Sequence, residues 1–196
     1  MQTLSIRYYS GFLFGLALIA LLNGLLLLFG GQESQTVLHK IGFISGTFTF
    51  VMFFMFSKYF PISTARPNSR DILFWVIPIT FFIPFILFNQ QFIQSVIIEN
   101  GISKPTFGVW YTPFMLVLAT FVLGAIYNLI QKYKITTELE IRKNIRDITA
   151  VFFVSGLLGF LLDVVLPRFN VYTAHYFAIE SSLFVALTTA IIIAKK

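Results

Sequence analysis

The sequence predicts an all-α membrane protein, a bundle of six transmembrane helices carrying a small extracellular β-hairpin, and three observations predict it. Hydrophobic residues make up 57% of the 196 positions and charged residues only 11%, against about a quarter charged in ordinary globular domains. The mean hydropathy of +0.84 is too high for a soluble surface to be covered. Six stretches reach the length of about 20 mostly apolar residues that a helix needs to cross the hydrocarbon core. They are 9–30, 38–59, 72–89, 111–131, 148–166 and 174–194. No composition shift or linker divides the chain, so residues 1–196 read as a single transmembrane domain.

The first stretch, "YSGFLFGLALIALLNGLLLLFG", exceeds a secretory signal core and is followed by no small-residue cleavage site, so it reads as a retained span. Loop charges set direction. With a cytoplasmic N-terminus, the inside segments hold Arg7, Lys58, Arg66, Arg70, Lys132, Lys134, Arg142, Lys143, Arg146, Lys195 and Lys196, which is 11 of the 14 Lys and Arg residues. Lys40, Lys104 and Arg168 remain outside. Both termini are therefore expected in the cytoplasm of a multi-pass protein of the cytoplasmic (inner) membrane. The net charge of +6 reports topology and calls for no nucleic acid.

The connections differ in character. Residues 60–71, "FPISTARPNSRD", read as a short cytoplasmic loop. Residues 131–147 are charged and rich in helix formers, so the fourth helix is expected to run past the membrane and the chain to return as a helix into the fifth. Between spans three and four, Asn100-Gly101 stands between β-branched and aromatic runs, a strong hairpin signal, with Pro105 confined to an edge position. Pro78 and Pro84 are expected to kink the third span. Gly11-x-x-x-Gly15, Gly42-x-x-x-Gly46 and Ser155-x-x-x-Gly159 permit close helix approach, either within the bundle or across a homodimer face.

Ionisable residues inside a membrane are costly and each raises a functional hypothesis. Asp163 falls about 6 Å below the end of span five, where Arg168 can fold back to pair with it. Glu180 lies about 9–12 Å into span six, with Tyr176 one turn earlier, Ser181 directly after, and His175 near the helix entrance. A short outer loop makes spans five and six antiparallel neighbours, so Asp163, His175 and Glu180 can converge in the outer half. Glu180, Asp163, His175, Tyr176 and Ser181 form the candidate ligand-binding set, read either as a polar ligand- or proton-sensing pocket or as a structural hydrogen-bond network. His39 is expected at an outer loop edge, solvated, and Asn23 as glue between helices. With no Cys, no His pair at metal-ligand spacing and no P-loop, GxSxG or HExxH pattern, neither metal, cofactor nor enzymatic activity is expected.

The order of features carries a resemblance. The aromatic second span "LHKIGFISGTFTFVMFFMFSKYFP" ends in a Phe-Pro step, and a later helix ends "YNLIQKYK". The basic return "IRKNIRDITAVFFVSGLLGFLLDVVLP" and the exit "AIIIAKK" follow. Over roughly residues 5–196 this resembles the seven-helix N-terminal membrane domain of bacterial sensor histidine kinases. The resemblance implies an input domain that signals to a cytoplasmic output. The family pattern opens with one more helix and continues into a kinase, and residues 1–196 hold neither. The expectation is a stand-alone sensor-type domain detecting an apolar or amphipathic ligand, or a membrane state. It would act from within the lipid bilayer through a cytoplasmic or membrane signalling partner touching the 132–146 segment or the C-terminus. Two rival readings are a small secondary carrier or channel subunit using Glu180 and Asp163, and a structural subunit packing through its glycine faces.

Overall fold

A computed structural model describes residues 4–61, 69–99 and 102–160, together with positions 188 and 191. The described chain holds five helices and one two-stranded sheet. They are α1 (Leu4–Leu28), α2 (Gln32–Tyr59), α3 (Ser69–Phe88), β1 (Ile93–Glu99), β2 (Ile102–Phe107), α4 (Tyr111–Ile135) and α5 (Leu139–Phe160). Three helical segments, Ser5–Leu26, Gln32–Tyr59 and Tyr111–Ile135, are long and apolar enough to cross a membrane, which marks a membrane protein. The first five expected spans overlap α1 to α5 in order and run past their described ends at 30, 89 and 166, but among the described residues α3 and α5 do not meet the length and apolarity of a membrane span. The sixth, 174–194, lies outside the described residues apart from 188 and 191.

Apolar residues of α2 cannot be assigned to one face. Ser45, Thr47, Thr49, Val51, Phe53 and Met55 are all buried. Buried positions two apart on a helix of 3.6 residues per turn point to every side, so α2 is the central helix, packed against α1, α3, α4 and the hairpin. Its buried hydroxyls are satisfied largely within the helix, Thr47 donating to Phe43 O at 2.9 Å and Thr49 to Ser45 O at 2.7 Å. That arrangement lets a polar residue sit in an apolar interior without a partner helix.

Close approach of α1 to α2 depends on Gly11 and Gly15. A Cβ at Gly11 would lie 3.1 Å from Met52 Sδ, and one at Gly15 only 2.2 Å from Thr49 Oγ1. These two glycines therefore serve packing within the chain. Rotating the Thr49 side chain away would break its bond to Ser45 O, so the clash at Gly15 has no free relief. Gly15→Ala is expected to destabilise the protein by about 2 kcal/mol, the scale of overpacking in a close-packed core, measured by thermal unfolding in detergent.

Among the described residues, two apolar cores sit at opposite ends of the bundle. At one end Tyr9, Phe12 and Leu16 of α1, Phe53 and Phe56 of α2, Ala125 and Leu129 of α4, and Ile145, Ile148 and Phe152 of α5 pack together. Phe53 and Phe152 stack at 3.9 Å between ring centroids. At the other end the hairpin joins the helices, with Phe92, Ile93 and Val96 packed against Ile86, Phe114 and Leu118. We call these the basic end and the hairpin end.

The hairpin forms where the sequence predicts it. β1 and β2 are antiparallel and their register closes on Glu99 and Ile102, either side of positions 100–101, which lie outside the described residues. Pro105 pairs with Val96 in a sheet of two strands, where every residue has an edge side. A register shift between Ile93 and Ser95 moves the buried face from Ile93 to Val96. An extra residue in one strand resets the alternation in this way. α3 continues through Pro78 and Pro84 as one helix.

Candidate functional site

Glu180, Asp163, His175, Tyr176 and Ser181, the set selected from sequence, lie outside the described residues, as does Arg168. The described residues place their polar chemistry elsewhere, at the ends of the helices.

A helix leaves its last four carbonyls without intrahelical donors, and those ends carry partial negative charge. Near a membrane such groups need partners. Three helices here receive one from a neighbouring helix. Gln35 of α2 donates its side-chain amide to Leu26 O at 2.5 Å and also to Phe29 O, closing the end of α1. Lys40 of α2 donates to Leu87 O at 2.9 Å, closing the end of α3. Lys132 of α4 donates to Ser57 O at 3.0 Å, to Lys58 O at 2.6 Å and also to Phe60 O, closing the end of α2.

The Lys132 contact is the most elaborate. One ammonium, with three N–H donors, meets three carbonyls of the final turn of α2. Asn128, one turn earlier on α4, donates to Ser57 Oγ at 3.3 Å, and Ser57 donates to Phe54 O at 2.7 Å. Ser57 is fully buried. α2 and α4 are thereby fixed in register at the basic end, next to the cis Phe60–Pro61 peptide bond. Beside this staple, the Arg142 guanidinium of α5 lies 4.5 Å from the Tyr133 ring centroid, a cation–π contact across the turn between α4 and α5. Tyr8 and Tyr59 stack at 5.4 Å between α1 and α2.

At the hairpin end, His39 Nε2 and Ser103 Oγ are 2.8 Å apart, joining α2 to β2. This corrects the expectation of a solvated loop histidine. α2 begins at Gln32, well before the apolar run, so His39 stands about two turns inside it and faces the hairpin. Lys104 and Glu99 form an exposed ion pair at 2.5 Å across the hairpin. Nearby, Phe43 of α2 makes edge-on contacts with Phe92, Phe107, Tyr111 and Phe114, at centroid distances of 5.2–6.0 Å. A shallow, open depression beside the hairpin is lined by Thr80, Phe81, Pro84, Phe85, Phe88 and Asn89 to Gln91, with Phe81 and Phe88 largely exposed.

Sequence reasoning misses Lys132 because it treats the lysine as one topological charge among eleven. The available signal is position: a lysine at the end of one apolar helix, with Ser57 at the end of another. Asn23, expected to join helices, makes no side-chain hydrogen bond among the described residues. No three His, Cys, Asp or Glu side chains come together as a metal-binding group among the described residues.

Fold and site together define a helical membrane bundle, stapled at one end by lysine and capped at the other by a hairpin. No family model, curated protein or solved structure matches this chain.

Proposed function

We propose that the chain is a sensor-type membrane domain of six transmembrane helices in the cytoplasmic membrane, with both termini and the basic end in the cytoplasm. It detects a small apolar or amphipathic ligand, or a membrane state, at the hairpin end and signals to a partner at the basic end. One observation carries this reading. α2 is held at its first half by the hairpin, through His39 and the Phe43 aromatic cluster, and at its last turn by Lys132. A single helix thus touches both ends, and a change in how the hairpin seats has a packed element to act on. Beside the hairpin, exposed Phe81 and Phe88 stand next to the amides of Asn89, Gln90 and Gln91, apolar and polar surface side by side as an amphipathic ligand would use. The carrier reading rests on Glu180 and Asp163, which lie outside the described residues.

Glu180 remains the ligand-facing candidate of this reading. In the purified protein, Glu180→Gln is expected to change how thermal stability responds to pH or to added amphiphile, relative to wild type. If lipid, peptide and pH titrations all give the same response in both proteins, the sensing role fails.

A further inference from the structure

The turn between α4 and α5 presents more than scattered charge. Lys134 closes an outward stripe of α4 that runs through Leu123, Tyr127 and Ile130, spaced so that all four lie on one side of the helix. All four are exposed; Leu123 is 66% and Tyr127 61% accessible. Across the turn Arg142 and Lys143 are exposed on the first turns of α5. Arg142 is braced against the Tyr133 ring, which lowers the entropy lost when its donors bind a ligand. Arg146 differs, since it already bonds Asp147 at 2.9 Å. Glu138 and Glu140 stand on the same turn, exposed, and make no ion pair with these cations among the described residues.

We infer that this corner binds an anionic phospholipid, its phosphate held by Arg142 with Lys134 and Lys143 and an acyl chain lying along Ile130, Tyr127 and Leu123. A guanidinium matches a phosphate in two-point geometry, while the lysines add point charge. Tyr127 stands between the cations and the apolar end of the stripe, where an amphipathic ring belongs at a membrane interface. A free phosphate ion would use the cations and leave the stripe unused. An acidic protein would likewise have no use for a stripe that descends the helix into the span. Occupant and surface therefore match only for a lipid. The inference stands on this corner alone and does not depend on the sensing role.

The full chain is reconstituted in nanodiscs of equimolar phosphatidylglycerol and phosphatidylcholine, extracted in mild detergent, and the retained lipid measured by mass spectrometry. Wild type is expected to retain phosphatidylglycerol in excess. Each of Lys134→Gln, Arg142→Gln and Lys143→Gln is expected to lower the excess by about fivefold, the factor that one basic residue contributes near an anionic surface. Arg146→Gln leaves it unchanged, and Arg142→Lys falls between. Circular dichroism identifies variants that keep the helical fold, and the comparison uses those. Equal retention of the two lipids by wild type overturns the inference, as does an excess that survives all three substitutions. Displacement of phosphatidylglycerol by soluble poly-glutamate or by millimolar inorganic phosphate also overturns it, in favour of an acidic protein or a simple anion.

Discussion

Lys132→Met lowers the unfolding free energy in detergent by about 3 kcal/mol, the upper range for loss of hydrogen bonds to a charged group. The methionine keeps much of the lysine stem and its packing, so the loss falls on the ammonium and its three carbonyl partners, Ser57 O, Lys58 O and Phe60 O. Those carbonyls end α2, and Ser57 O belongs to a fully buried residue, away from water. The positive charge also opposes the negative end of the helix, an effect of up to about 2 kcal/mol in partly buried settings. Lys132→Arg recovers part of the loss, because a planar fork cannot reproduce the three-way contact of a compact ammonium. Thermal or denaturant unfolding monitored by circular dichroism measures the series. A methionine variant as stable as wild type would show that water replaces the ammonium without cost.

Gly108→Ala unseats the hairpin. A Cβ at Gly108 would stand 1.7 Å from Gln91 O and 2.5 Å from Gln91 C. Both are backbone atoms at the start of the hairpin, so no side-chain rotation relieves the clash. Gly108 N donates to Phe92 O at 3.1 Å, and Tyr111 N donates to Gly108 O at 3.2 Å, which places this glycine between the strand pair and the first turn of α4. Phe107 and Tyr111 stack at 3.8 Å over the same point. The cost is expected near ~3 kcal/mol, within the range of the larger single-residue effects, with helical circular dichroism retained. Trp110, whose ring meets Phe85 edge-on at 5.3 Å, reports the change through a red-shifted emission.

Much of the architecture is legible in the residues, for identifiable reasons. Apolar runs of span length mark helices because unpaired backbone is intolerable in lipid, and α1, α2 and α4 answer to that rule. Asn100-Gly101 between β-branched segments marks the hairpin, and Ile93–Glu99 pairs with Ile102–Phe107 as that motif requires. The charged 131–147 stretch reads as a helix, a short break and a returning helix, and α4 and α5 meet across 136–138 in that way. The glycines of α1 read as packing surfaces, and Gly11 and Gly15 lie against Met52 and Thr49.

Polar contacts are less legible, because they depend on which helix ends adjoin. Charge counting assigns Lys132 and Lys40 only to opposite faces of the membrane, yet each caps a helix distant in sequence. His39 looks like a loop-edge residue because the apolar stretch begins beside it, at 38, whereas α2 starts at Gln32 through polar residues that apolarity does not register. Helix starts of this kind are set by backbone bonds, here Gln35 N to Gly31 O at 2.9 Å. The central place of α2 is hidden for a related reason. A helix buried on all sides resembles a lipid-facing one in hydropathy, and only its buried Ser45, Thr47, Thr49 and Ser57 distinguish it.

Amide hydrogen exchange along α2 in the Gly108→Ala protein, held in nanodiscs, tests whether the two ends act on each other. Coupling through α2 predicts faster exchange at the hairpin and, with it, at Phe56 to Phe60, where Lys132 closes the helix. Faster exchange confined to residues 93–111, with the last turn of α2 as protected as in wild type, would contradict a signal path between hairpin and basic end.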